Sequence, residues 1–157
     1  FPHALKIVGQ KTWLSGGVFD AVRTSGLEEY VQLTGYIAQA ELASLYQHAA
    51  LLVYPSLYEG FGLPPLEAMA SGCPVVTSHD TALPEVVGEN AVLINPRSSK
   101  DIAQGMIRVL QNDEFRHLLA SSGPQQAAKF TWRDCALSTL AAYEQVLDNH
   151  QPNFTSS

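Results

Sequence analysis

The sequence is poor in basic residues and in cysteine. Of its 157 residues only nine are Lys or Arg, against 15 Asp and Glu, so the formal net charge is -6 at pH 7. A nucleic-acid-binding surface needs a clustered basic patch to neutralise phosphates, and this composition argues against such a partner. The two cysteines, Cys73 and Cys135, fall on different predicted elements without a Cys-x-x-Cys pattern. Reduced thiols in a reducing compartment are therefore favoured over a disulfide.

Long apolar runs and metal-ligand patterns are also missing. No stretch reaches the roughly 18 to 20 apolar residues that span a bilayer, and the first residues lack the regions of a signal peptide. We therefore expect a soluble, cytoplasmic chain, whose acidic composition gives no electrostatic membrane anchor. Catalytic zinc needs about three converging ligands, so we expect neither a metal nor another cofactor. Four histidines share no ligand spacing: His3, His48, His117 and His150.

Short β-branched runs alternate with segments of helical period, which is typical of an α/β fold with a parallel sheet and crossover helices. The predicted strands are Leu5–Val8, Val31–Thr34, Leu51–Tyr54, Val75–Thr77 and Val92–Ile94. Between them we predict helices at about Gly17–Ser25, Ala40–Ala49 and Leu66–Ser71 and a short turn over Leu83–Val87. Neither GxGxxG nor GxxxxGK[ST] occurs, which excludes the ordinary dinucleotide and P-loop sites.

The last third of the chain reads as helical. Ser98 to Asp101 has the pattern of a capped helix start, followed by apolar residues at helical spacing. Further helices are predicted over Asp113–Ser121 and Trp132–Asn149, with Phe130 and Trp132 as residues that pack the last helix onto the domain. We predict one Rossmann-like α/β domain over residues 1–150 and a disordered tail over 151–157.

The stretch Tyr58–Gly72, YEGFGLPPLEAMASG, joins a predicted strand to a predicted helix. Ligands of open parallel sheets bind outside the carboxyl ends of the strands, where a helix N-terminus favours phosphate. Gly60 and Gly62 allow close approach of the backbone to such a ligand. Glu59 in the loop and Glu67 in the first helical turn can accept hydrogen bonds from paired hydroxyls. The stretch therefore predicts a site for a molecule that carries a sugar, a diphosphate and a ribose.

Simpler interpretations of the same residues stay open. A carboxylate in the first turn of a helix is stabilised by the macrodipole, which alone would explain Glu67. A glycoside hydrolase also uses two carboxylates, as acid and nucleophile, and Glu59 and Glu67 could have these roles. Phe61 and Leu63 could be core residues. His79 and Asp80, which follow the fourth strand, are either cleft residues or a solvated loop pair.

The segment Leu52–Val76, LVYPSLYEGFGLPPLEAMASGCPVV, closely resembles the signature of group 1 (family 4) glycosyltransferases. These are retaining enzymes of the GT-B fold that use nucleoside-diphosphate sugars. The similarity covers nearly the whole chain and extends to the segments Leu5–Gly9, Val31–Ile37, Glu41–Ser56, Ala82–Pro96 and Phe130–Ala136.

The resemblance assigns roles to individual residues. The two family glutamates fall on Glu59, which meets the hydroxyls of the donor sugar and is the catalytic candidate, and on Glu67, which holds the ribose. The donor sugar and diphosphate contact the run Glu59, Gly60, Phe61, Gly62 and Leu63, the last three through backbone amides. The nucleobase contacts Tyr36 and Ile37.

The resemblance also implies what is not in this sequence. The chain looks like the C-terminal donor-binding half of a GT-B enzyme without its first strand, and an acceptor-binding domain is expected as its partner. The Arg and Lys that neutralise the diphosphate in the family lie upstream of the matching segments, and Lys6 and Lys11 do not replace them. We expect the isolated chain to be inactive, with a non-catalytic nucleotide-sugar module as the alternative. The runs YPSLYEGFGLPPLEAMASG and GYIAQAEL resemble bacterial mannosyltransferases. The resemblance implies a role in polysaccharide biosynthesis with GDP-mannose or a UDP-sugar as donor, in the cytoplasm or peripheral to the inner face of the membrane.

Overall fold

The computed structural model describes residues 3–9 and 16–149 of the chain. The chain forms two compact units that meet in sequence between Leu45 and Tyr46. The tail predicted over 151–157 lies outside the described residues, and the assignment of residues 1–150 to one domain stays a prediction.

The first unit contains a two-stranded parallel sheet. Its elements are β1 (Leu5–Val8), α1 (Gly16–Thr24), β2 (Val31–Gly35) and the start of α2 (Gln39–His48). Leu5 pairs with Val31, and the register shifts between Ile7 and Val8. Each strand has a single partner, and β1 is largely exposed, whereas the sequence predicts strands that are covered on both faces.

The second unit holds a three-stranded parallel sheet with helices. Its strands are β3 (Leu52–Tyr54), β4 (Val75–Ser78) and β5 (Val92–Ile94), in the spatial order β3-β4-β5. All four residues of the central strand are buried. Its helices are α3 (Leu63–Ala70), α4 (Leu83–Val87), α5 (Ser99–Leu110), α6 (Asp113–Ala127) and α7 (Trp132–Asn149). The predicted α/β fold with parallel strands and C-terminal helices is confirmed.

The core of the second unit lies between the sheet and helices α5 and α6. It is formed by Val76, Val92, Ile94, Val109 and Leu119. Helix α5 approaches the sheet closely at Gly105, because a Cβ at that position would lie 2.6 Å from Cγ2 of Ile94. The predicted helix start is confirmed, since the Ser98 hydroxyl accepts a hydrogen bond from the Asp101 amide.

Two helices are longer than the sequence predicts. Helix α3 begins at Leu63 rather than Leu66 because the two prolines of its first turn need no amide partner. Helix α6 continues through Pro124 to Ala127. Packing against α3 stabilises that extension, since a Cβ at Gly123 would lie 3.2 Å from the Met69 carbonyl oxygen. None of the helices among the described residues combines the length and the apolar character needed to cross a bilayer.

Candidate functional site

The loop from Pro55 to Gly62 follows β3 at the carboxyl edge of the three-stranded sheet. Strands β4 and β5 end at the same edge because all three run parallel. This is the edge at which open α/β sheets bind ligands. The loop therefore lies where the sequence predicts a site.

Two hydrogen bonds hold Glu59, one through its carboxylate and one through its backbone amide. The phenol of Tyr54, the last residue of β3, donates a hydrogen bond to Glu59 Oε1 at 2.5 Å. The backbone amide of Glu59 donates to Thr81 Oγ1 at 3.2 Å. Burial, and next the bond to the Glu59 carboxylate, raises the pKa of Tyr54 to about 12, so the phenol keeps its proton at neutral pH. Neither Tyr54 nor Thr81 was a candidate from sequence.

Gly62 has a backbone conformation that requires glycine. It is the N-cap of α3 with φ of 106°, and a Cβ there would lie 2.5 Å from Cδ2 of the fully buried Leu83. Gly60 differs, because its φ is not positive and no atom lies within 4 Å of where its Cβ would be. Of the two loop glycines, only Gly62 is demanded by the fold.

The N-terminus of α3 offers its donors in a short run. Pro64 and Pro65 occupy the second and third helical positions and have no N–H. The amides left to meet an anion are those of Leu63 and of the preceding Gly62 and Phe61, ahead of the first intrahelical hydrogen bond. These are the amides that the resemblance assigns to the donor sugar and diphosphate.

Glu67 lies one turn further into α3 than predicted. Because the helix starts at Leu63, its first turn contains no acidic residue. The macrodipole acts mainly within the first turn, so it no longer accounts for Glu67. The side chain is half-buried and close to Tyr46, whose pKa rises to about 12 through burial first and the Glu67 charge second.

Glu67 faces a groove between α3 and the corner that joins α6 to α7. The groove has a volume of about 870 Å³, within the range of small-molecule sites. Phe61, Leu63 and Glu67 line it together, whereas Glu59 does not. The structure thus gathers three of the predicted site residues and places Glu59 outside this groove.

The two aromatic residues at the start of α7 differ in how they pack. Phe130 packs edge to face on Phe61, with ring centroids 5.7 Å apart, as a packing residue should. Trp132 is 81% exposed, so its predicted packing role is wrong. The Trp132 indole borders the groove without being covered.

His79 and Asp80 form a polar cluster with Arg97. Asp80 Oδ1 lies 2.7 Å from His79 Nδ1, and Asp80 Oδ2 lies 3.0 Å from Arg97 Nη1. Arg97 follows β5, so the cluster ties together the loops after two neighbouring strands. It also fixes the residue that precedes Thr81. Arg97 could not be found from sequence because it lies 17 residues from Asp80.

The predicted nucleobase contacts belong to the first unit. Tyr36 and Ile37 follow the carboxyl end of β2, where Gly35 has a positive φ of 71°. Tyr36 is 77% exposed and Ile37 is half-buried. A flat, accessible ring of this kind is suited to stacking on a base.

Within the described part of the chain, no three His, Cys, Asp or Glu side chains converge as metal ligands. The expectation of no metal stays a prediction.

The chain matches the family of group 1 glycosyl transferases over residues 3–112. It belongs to this family. It is 37% identical, over 90% of its length, to O-antigen chain mannosyltransferase B of Escherichia coli, and spans 37% of that protein.

Solved structures share the fold. A sucrose-phosphate synthase from Thermosynechococcus elongatus superposes with a TM-score of 0.80 at 28% identity, covering 92% of this chain and 39% of that one. HepE of Anabaena, solved with UDP-glucose, superposes with a TM-score of 0.74 at 23% identity, covering 80% of this chain and 36% of that one. The family and the GT-B type of fold that the sequence suggests are both confirmed.

Proposed function

We propose that this chain is the donor-binding part of a retaining glycosyltransferase and binds a nucleoside-diphosphate sugar. The observation that carries the proposal is the geometry after β3. A run of three amides at the start of α3 can meet phosphate, and each neighbouring glutamate can accept hydroxyls. An acceptor-binding partner domain completes the enzyme, and the chain spans 37% of its mannosyltransferase relative.

Each part of the donor has its own contacts. Glu59 accepts hydrogen bonds from the sugar hydroxyls and is the catalytic candidate, with Gly60 beside it. The diphosphate lies on the amides of Phe61, Gly62 and Leu63. The remaining contacts are Glu67 to the ribose, and Tyr36 with Ile37 to the nucleobase.

GDP-mannose and UDP-sugars are the proposed donors. The first is supported by the mannosyltransferase relatives, and the second by the UDP-glucose bound to HepE, a protein of the same fold. No metal or other cofactor is part of the proposal. The proposed location is the cytoplasm or the inner face of the membrane, which the two free cysteines support.

A glycoside hydrolase is less well supported than it was from sequence. A retaining hydrolase needs its two carboxylates about 5–5.5 Å apart across one bond. The groove that Glu67 lines does not include Glu59. A non-catalytic donor-binding module shares every contact above and is distinguished only by the absence of transfer when an acceptor domain is supplied.

Isothermal titration of the chain with GDP, UDP, ADP and their sugars tests the proposal. We expect binding of at least one nucleotide sugar, and no binding even at millimolar concentration would refute the donor site.

Glu67→Ala should lower the affinity for every ribonucleotide about tenfold or more, because a hydrogen bond to a charged group is lost. A deoxyribose nucleotide should show the same weakness with the unchanged chain. The matched control is Glu114→Ala, an exposed acid in the first turn of α6. Equal affinities in Glu67→Ala and Glu114→Ala would exclude the ribose role.

Glu59→Ala should lower the affinity for the nucleotide sugar and leave the affinity for the bare diphosphate unchanged. An unchanged preference for the sugar form over the diphosphate would exclude the role of Glu59.

A further inference from the structure

The two bonds to Glu59 come from opposite sides of its loop. Tyr54 precedes the loop at the end of β3, five residues before Glu59, and Thr81 follows β4, 22 residues after Glu59. One bond fixes the carboxylate and the other fixes the backbone of the same residue. A glutamate that was merely solvated at the protein surface would require neither bond.

Thr81 adopts a conformation that its side chain disfavours. Its φ of +60° is the only positive value at a non-glycine residue in the described part of the chain. This region brings Cβ close to the backbone, and a β-branched residue tolerates it least. Such residues persist where the surrounding structure determines them, and they cluster at functional sites.

The neighbours of Thr81 hold it in this conformation. On one side Asp80 is paired with His79 and Arg97. On the other side α4 begins, and its first residue Leu83 is fully buried against Gly62. The hydroxyl of Thr81 is thereby placed where the Glu59 amide donates to it.

Tyr54 is also held by its neighbours. Its carbonyl oxygen accepts a hydrogen bond from Thr77 Oγ1 at 2.9 Å, within the sheet. Its half-buried phenol keeps the proton that it donates to Glu59, because burial and that bond raise its pKa. The donor on the Glu59 carboxylate is therefore present at every physiological pH.

We infer that Tyr54 and Thr81 are positioning residues that set the orientation of Glu59 toward the hydroxyls of the donor sugar. The inference rests on the proposed role of Glu59. It names the hydroxyl of Thr81, rather than its bulk, and the phenolic oxygen of Tyr54, rather than its ring, as the groups that matter.

Substitutions at Thr81 separate its hydroxyl from its backbone strain. Thr81→Ser keeps the hydroxyl, Thr81→Ala loses it and keeps the strain, and Thr81→Gly loses both. The Glu59 amide should exchange its hydrogen about tenfold faster in the Ala and Gly variants and at the original rate in the Ser variant, because only Ser retains the acceptor. Thr81→Gly should melt about 2–4 °C above Thr81→Ala.

The bond from Tyr54 has a test that needs no ligand. Glu59→Gln removes the charge opposite the phenol, so tyrosinate absorbance should appear at lower pH than in the unchanged chain. The effect should vanish in a Tyr54→Phe background. The control is Tyr143→Phe on the exposed helix α7, in whose background the Glu59→Gln effect should persist.

The functional readout is the ratio of affinities for the nucleotide sugar and the bare diphosphate. We expect Tyr54→Phe, Thr81→Ala and Thr81→Gly to lower this ratio about fivefold, in line with one lost hydrogen bond. Thr81→Ser should keep the original ratio because it retains the hydroxyl, and Tyr143→Phe should also leave the ratio unchanged. A purely structural role for Thr81 would instead make the ratio follow the melting temperature, with Gly better than Ala.

The possible failures can be told apart. An unchanged ratio in Glu59→Ala refutes the proposed role of Glu59. If Glu59→Ala lowers the ratio and the Tyr54 and Thr81 variants do not, the positioning inference alone is overturned. If the chain binds no nucleotide, the exchange test still applies. A Glu59 amide that exchanges in Thr81→Ala as slowly as in the unchanged chain overturns the inference.

Discussion

At the scale of single residues, Gly62 controls the turn into α3. Its φ of 106° disfavours any side chain, and its missing Cβ leaves room for Leu83. We expect Gly62→Ala to lower the free energy of unfolding by about 2–4 kcal/mol, from backbone strain and overpacking together. Urea denaturation measures the change.

Gly60 is the matched control for that substitution, two residues away in the same loop. Its φ is not positive and the space around it is open, so Gly60→Ala should change the unfolding free energy by no more than about 0.5 kcal/mol. Equal losses in the two variants would contradict the assigned role of Gly62.

The two cysteines differ in reactivity. Cys73 is 2% exposed, and burial raises the pKa of its thiol from 9.0 to about 11. Cys135 is exposed on α7. Because the thiolate is the reactive form, we expect a thiol reagent at pH 8 to label the exposed Cys135 rapidly and the buried Cys73 only on unfolding. Cys135→Ser should abolish the rapid phase, and its persistence there would disprove the assignment.

At the scale of elements, Gln126 joins the end of α6 to α4. Its buried amide donates to the Val86 carbonyl oxygen at 3.0 Å and accepts from Lys129 Nζ at 2.7 Å. Gln126→Ala leaves the buried carbonyl without that donor and should cost about 1–3 kcal/mol of unfolding free energy. Thermal or chemical unfolding measures this cost.

The neighbouring Gln125 provides the control on the same helix turn. It is exposed, so Gln125→Ala should be close to neutral. A similar loss in both variants would mean that helix propensity, and not the bridge to Val86, stabilises the end of α6.

At the scale of the whole molecule, three weak acids with raised pKa values lower the stability at alkaline pH. Tyr46 and Tyr54 have pKa values raised to about 12, and Cys73 to about 11. The unfolded chain loses these protons at lower pH than the folded chain, so the unfolding free energy must fall as pH rises from about 9 to 12. Cys73 alone contributes about 1–2 kcal/mol of this fall between pH 9 and 11.

Urea unfolding at intervals between pH 8 and 11 measures the slope. Cys73→Ala should flatten its lower part, below about pH 9.5, where most tyrosine in the unfolded chain is still protonated because its pKa is near 10. A slope unchanged by this substitution would contradict the burial of the thiol.

Local patterns were enough to predict most elements of the fold. The predicted bounds match the structure for strands Leu5–Val8 and Val92–Ile94 and for helix Trp132–Asn149. The predicted short turn over Leu83–Val87 has the right bounds and forms the short helix α4. These segments have strong periodicity or clear end signals, which act over a few residues. The boundary of α6 was wrong because packing on α3 carries the helix through Pro124, and that contact is remote in sequence.

The candidate site divides in the same way. The glutamates, the glycines and the prolines of the loop are consecutive in sequence, so their pattern alone indicated a donor-binding turn and the group 1 family. Thr81 and Arg97 were invisible, because each acts through a partner that only parallel strand order brings near. Tyr54 lies five residues before Glu59, and its bond depends on how the loop between them folds back on the strand. Backbone preferences depend on adjacent residues, so the sequence by itself determined the turn and the helix start. The long-range partners of a side chain depend on which strand ends share an edge of the sheet, so only the tertiary structure decided them.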